Sequence, residues 1–147
     1  MPAVRFSSWS AAALGASAFM AVHYLFLRAA SGRIEDRLGA LVLEGSAVLG
    51  IVASLAVGLR GAEVPTTRAG LGFAMAGGLA VSGVSVLAFA ALRRGAPVAS
   101  MGTIVFGGGV ALAALASPWV FGESFTTRRA LGVALGLAAM WVLGSES

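Results

Sequence analysis

Marking each charged residue along the chain leaves five long stretches with almost no charge, over residues 9–27, 38–59, 69–92, 96–121 and 126–144. A membrane-spanning helix needs about 20 mostly apolar residues, with about 17 to 25 tolerated. None of the five alternates polar with apolar as a barrel strand does. Long apolar runs in lipid favour helices, whose backbone hydrogen bonds close within the segment. The second stretch carries one charge, Glu44, and the fifth begins beside Arg128 and Arg129, which must snorkel to the interface if that helix spans fully. The pattern predicts an all-α membrane protein, a bundle of five transmembrane helices in a single domain over residues 1–147. Short connections are expected at about 28–37, 60–68, 93–95 and 122–125.

The N-terminal stretch has a rival reading. Arg5, the apolar run 11–22 and the triplet Ala16-Ser17-Ala18 have the layout of a secretory leader with its cleavage site. Apolar character continues to Leu27, longer than a leader core, which favours a span.

Composition agrees with lipid as the solvent. Apolar residues make up 59% of the 147, before 21 glycines are counted, and only 11% are charged, against about 25% in a soluble domain. A chain this apolar cannot stay solvated as a disordered tail. With no Cys there is no disulfide, thiolate metal site or cysteine nucleophile. The net charge of +4 comes from arginines spread singly or in pairs between the apolar runs, so they read as membrane flanks rather than as a nucleic-acid surface. The expected location is a cell membrane, with a bacterial inner membrane favoured.

Five spans would place Arg5, Arg60, Arg68, Arg128 and Arg129 on the side of the N-terminus, and Arg28, Arg33, Arg37, Arg93 and Arg94 on the other. Orientation follows the Lys/Arg bias of short loops. An even division gives little instruction, so both orientations are expected unless a partner protein decides. Two oppositely inserted copies would form an inverted pair, the plan of many secondary transporters, which carry their site at the repeat interface.

Glu44 lies six residues inside its span, about 9 Å from the nearer surface. A carboxylate at membrane depth is costly unless paired, protonated or hydrated. It reads either as a proton- or cation-binding group with a desolvated carboxyl, or as a partner for Arg33, Arg37 or headgroup water. His23 and Tyr24 lie at similar depth, about 6 Å in. They either pair with Glu44 as a proton-sensitive group or anchor the first helix at the interface. Ser82, Ser85, Ser100 and Thr103 fall in the same half of the membrane, and Ser54 and Ser117 in the other. One carboxylate and one histidine offer no nucleophile, metal cluster or carboxylate pair, so no enzyme activity, metal or cofactor is expected.

Small residues recur every fourth position at Ser46, Gly50, Ser54 and Gly58, again at Ala74, Gly78 and Ser82, and as a GxxxG at Gly132 and Gly136. Such rows let helices approach closely in lipid. Ser46 is about 200° around the helix from Glu44, so the packing face and the carboxylate face should differ, leaving Glu44 for a cavity or headgroups. Gly107-Gly108-Gly109 marks either a hinge or a close helix contact. Trp9, Trp119 and Trp141 fall near span ends, as an aromatic belt requires.

The C-terminal half carries a family pattern. It reads Phe89-Ala-Ala-Leu-Arg-Arg-Gly-Ala-Pro-Val-Ala-Ser100, then a Gly-rich span closing on Phe121-Gly122-Glu123, then Arg129-Ala-Leu-Gly132-Val-Ala-Leu-Gly136. This resembles a single EamA repeat of the drug/metabolite transporter superfamily, by motif over 89–143 and by span count over the whole chain. The resemblance implies one half of a ten-helix inverted-repeat transporter, and it puts Glu123 at the Gly-Glu position ending the fourth helix. Glu123 is expected to pair with Arg128 or Arg129 as an interface contact. Glu44 falls on no motif of the family.

These readings converge on an expected function. The chain would be a proton-coupled secondary transporter, an exporter or metabolite carrier of a small organic solute, working as an antiparallel dual-topology homodimer in the bilayer. Glu44, His23, Tyr24 and Thr103 are the substrate or coupling candidates. The alternatives are a non-transporting subunit paired with a homologous half, and a small dual-topology channel.

Overall fold

The computed structural model of the chain describes residues 8–57 and 66–145, with side chains from residue 12 onward. Five helices follow one another: α1 (Ser8–Ala30), α2 (Asp36–Ala56), α3 (Arg68–Arg93), α4 (Val98–Phe121) and α5 (Thr127–Gly144). Four of them, over Ala12–Ala30, Asp36–Ala56, Arg68–Arg93 and Val98–Phe121, are long and apolar enough to cross a membrane. The chain is an all-helical, multi-pass membrane protein. α5 is shorter, 18 residues rising about 27 Å, and its first turn holds both Arg128 and Arg129. Arg5, Arg60, Gly58 and the side chain of Trp9 lie outside the described residues. Trp119 and Trp141 are exposed within a turn of the ends of α4 and α5.

Local chemistry sets the helix ends. Glu35 caps α2 by accepting from the Leu38 N–H at 2.8 Å, and Thr67 caps α3 through the Gly70 N–H at 3.0 Å. Thr126 does the same for α5 through the Arg129 N–H at 3.2 Å. α4 ends on Gly122, whose φ of 66° lies in the left-handed region and whose N–H donates to the Pro118 carbonyl at 3.1 Å.

The helices group into two compact units, one of residues 30–94 and one of residues 1–29 with 95–147. The first is the α2/α3 pair. At its mouth Arg93 grips Asp36 with Nε 3.0 Å from both carboxylate oxygens and Nη2 2.8 Å from Oδ2. Gly39 follows one turn further in, where the absence of a side chain admits the Phe89 ring; a Cβ at Gly39 would lie 2.8 Å from Phe89 Cζ. Ala40, Ala88, Phe89 and Leu92 are buried here. Further in the picture changes. Leu49, Ile51 and Leu55 of α2 and Phe73, Met75 and Leu79 of α3 are exposed, and Gly45, Gly50, Gly72, Gly77, Gly78 and Gly83 have open space where a Cβ would stand. Within the α2/α3 pair, the small-residue rows through Ser46, Gly50 and Ser54 and through Ala74, Gly78 and Ser82 thus meet no close neighbour at Gly50 and Gly78 among the described residues.

In the other unit α5 packs along α4. Met140 lies over Gly107 and Gly108, its Cγ and Cε 3.1 and 3.2 Å from where their Cβ atoms would stand. α4 runs unbroken through all three glycines. Gly107 and Gly108 therefore make room for a flexible side chain, while Gly109 faces open space. Gly132 and Gly136 leave their Cβ directions open, although the Gly136 carbonyl lies 3.9 Å from the Gly107 Cβ position. Tyr24 joins α1 to this unit, its ring edge-on to Phe106 with centroids 5.8 Å apart and its Cε2 3.2 Å from the Gly102 Cβ position.

Pro118 breaks the α4 ladder because it has no N–H for the carbonyl of Ala114. Buried Ser117 repairs the gap by donating to that carbonyl at 3.2 Å, and its Oγ accepts from Arg129 Nη1 at 3.1 Å. Ser117→Ala should leave the carbonyl and one guanidinium donor unpaired and lower unfolding stability in detergent by about 1–2 kcal/mol. An unchanged unfolding midpoint would show that solvent replaces the hydroxyl.

Candidate functional site

Glu44 stands on α2 two turns inside the Asp36–Arg93 pair, about 12 Å along the axis. Ser85 stands on α3 the same eight residues inside Arg93. The helices run antiparallel, so the two residues come level, and the Ser85 hydroxyl donates to Glu44 Oε1 at 2.5 Å. Ser85 is buried and Glu44 half-buried. The carboxylate does not pair with Arg33 or Arg37, the partners its depth allowed. It turns to α3, because a charge in an apolar helix is best placed against a polar hydrogen on the neighbour.

The surroundings of this pair differ toward its two ends. Toward the helix mouth, Phe89 seated on Gly39 and the buried Ala88 and Ala40 close the α2/α3 seam between Glu44 and the Asp36–Arg93 ion pair. Toward the other end, Gly45, Gly50, Gly78 and Gly83 face open space. The carboxylate therefore sits at the boundary between a sealed and an open half of the hairpin. Neither α2 from 38 to 57 nor α3 from 69 to 92 carries another charged residue.

His23, Tyr24 and Thr103 belong to the other unit, and Glu44 to the unit of residues 30–94. The His23 ring meets Tyr24 edge-on with centroids 5.5 Å apart; His23, Tyr24 and Thr103 are half-buried. Ser100, in the first turn of α4, is buried, and its Oγ has no hydrogen-bond partner among the described residues. Glu123 pairs with Arg129, Oε2 to Nη2 at 2.8 Å, the first of them exposed and the second partly so. This is an α4/α5 corner contact, and Arg128 is exposed beside it.

Sequence reasoning named Ser85 only as one of several polar residues in its half of the membrane, and it did not foresee the Asp36–Arg93 pair. The signal was available. Asp36 and Arg93 bound two antiparallel spans, and stepping inward eight residues from each reaches Glu44 and Ser85. No protein-family model, no curated protein and no solved structure matches the chain.

Proposed function

We propose that the chain is a proton-coupled secondary transporter of a small organic solute, built as a single EamA-like repeat and completed by a second, oppositely inserted copy. The observation that carries this reading is Glu44. It is the one ionisable group in the uncharged stretches of α2 and α3, held by a buried hydroxyl at the edge of an open apolar half-hairpin. Keeping an ionisable group there is costly unless its charge state is used. The even division of arginines supports two orientations, and the open small-residue faces of α2 and α3 offer close-approach surfaces to another copy.

The purified chain is tested in vesicles containing a pH-sensitive dye. Addition of candidate solutes should drive proton movement that scales with protein content. A panel of organic cations, anions and neutral metabolites that moves no protons would overturn the reading. Orientation is tested separately with a reporter fused to the C-terminus. Signal should arise on both sides of the membrane in comparable amounts, and signal on one side alone would end the dual-insertion model of assembly.

A second reading has its own support. α5 is the one described helix outside the four long and apolar enough to cross, and Arg129 is drawn to Ser117 and Glu123 at its start. If α5 does not cross, both termini share a side and the odd span count is lost. The chain would then serve as a subunit beside a homologous half, and the same reporter would find N- and C-terminal fusions on one side.

A further inference from the structure

Among the helical serines whose side chains are described, five hydroxyls behave alike, whereas buried Ser100 has no hydrogen-bond partner among the described residues and Ser85 has one on another helix. Ser17, Ser46, Ser54, Ser82 and Ser117 each donate to a carbonyl three or four residues back on their own helix, at 2.7 to 3.2 Å. This is the ordinary resting place of a helical serine in an apolar setting. Ser85 instead crosses to Glu44. Its own helix offers the carbonyls of Val81 and Ser82 within the same reach, so the crossing reflects the pull of a carboxylate, whose hydrogen bonds are roughly twice as strong as neutral ones.

We infer that Ser85 is the positioning residue for Glu44, a hydroxyl with two resting places that reads the charge of the carboxyl. This rests on the transport reading, in which Glu44 takes up and releases a proton. With Glu44 ionised, the Ser85 O–H donates to it and ties α2 to α3. When a hydronium ion gives a proton to a carboxylate oxygen, one O–H bond of the hydronium breaks, one forms on Glu44, a water molecule leaves and the carboxyl becomes a neutral acid. The acid is a weaker acceptor, so the Ser85 O–H turns back to the Val81 or Ser82 carbonyl, as its five counterparts already do. The tie between the helices is then lost or remade in reverse, with the acid donating to Ser85 Oγ. Proton uptake is thereby converted into a change at the α2/α3 seam, next to the half whose glycines leave room for movement.

The other charges near the seam do not compete. α3, the helix packed on this face of α2, has no titratable group between Arg68 and Arg93, and α2 has only Glu44 between Arg37 and the end of its described length. Asp36 and Arg93 are two turns away and bound to each other.

The experiment is an infrared titration of the whole protein in lipid vesicles from about pH 4 to 9. The protonated carboxyl band of Glu44 is identified by its loss in Glu44→Gln, and the amide band confirms the fold. Removing a donor to the charged form disfavours that form, so Ser85→Ala should raise the Glu44 midpoint by about one to two pH units. Ser85→Cys, similar in shape but a weak donor, should fall between wild type and Ser85→Ala. A midpoint that moves by less than about half a unit in Ser85→Ala, or a Cys variant displaced further than Ala, would overturn the positioning role. That failure leaves transport by Glu44 standing. A Glu44 that stays ionised across the range in all three proteins overturns both.

Discussion

Glu44→Gln should abolish solute-driven proton movement in reconstituted vesicles while leaving the protein folded. Glutamine keeps the length and shape of the side chain, and its carbonyl oxygen can accept the Ser85 hydroxyl as the carboxylate does. It cannot take up or release a proton in the working pH range. Removing a half-buried charge also removes its desolvation cost, so thermal stability in detergent should be unchanged or somewhat higher. A loss of coupling together with retained stability separates chemistry from folding. Persistent proton movement in the glutamine variant would move the coupling group elsewhere.

The second large effect is expected at Gly39→Ala. Alanine is the better helix former by about 1 kcal/mol, so on helix propensity alone the substitution should stabilise α2. The Cβ, however, would lie 2.8 and 2.9 Å from Phe89 Cζ and Cε1 and 3.1 Å from Ile34 Cγ2. Phe89 is only 2% exposed and Leu92 1%, so the ring has no free volume to enter. Overpacking of this kind costs about 1–3 kcal/mol and outweighs the propensity gain. Unfolding of the variant in detergent should be easier by up to about 2 kcal/mol net. Adding Phe89→Leu should recover most of that loss, since the pair is in contact and its effects should not add. Equal losses in both backgrounds would show that the ring is not the obstacle. At Gly107 the neighbour is Met140 at 3.1 Å, an unbranched chain able to shift, and the same arithmetic gives a far smaller effect.

Most helix limits were legible from the charges, although α1, expected over 9–27, runs through Arg28 to Ala30. The stretches expected at 38–59, 69–92, 96–121 and 126–144 correspond to helices beginning within two residues of those positions, and α2 ends three residues earlier, at Ala56. The presence of a carboxylate inside an otherwise uncharged stretch of α2 was equally legible. Its partner was not, because several hydroxyls shared its half of the membrane and spacing along one helix does not say which neighbour faces it. For the same reason spacing does not separate Arg128 from Arg129 as the partner of Glu123; Arg129 makes the pair and also reaches Ser117.

What the amino-acid order determined by itself was where lipid-compatible helices start and stop. A backbone in hydrocarbon must satisfy its own hydrogen bonds, and charged residues resist burial there. What only the tertiary structure decided was which way each helix faces. A helix apolar all round has no polar stripe to mark its buried side. Rotation about its axis is therefore chosen by contacts of shape and hydrogen bonding, Phe89 on Gly39, Met140 over Gly107 and Ser85 to Glu44.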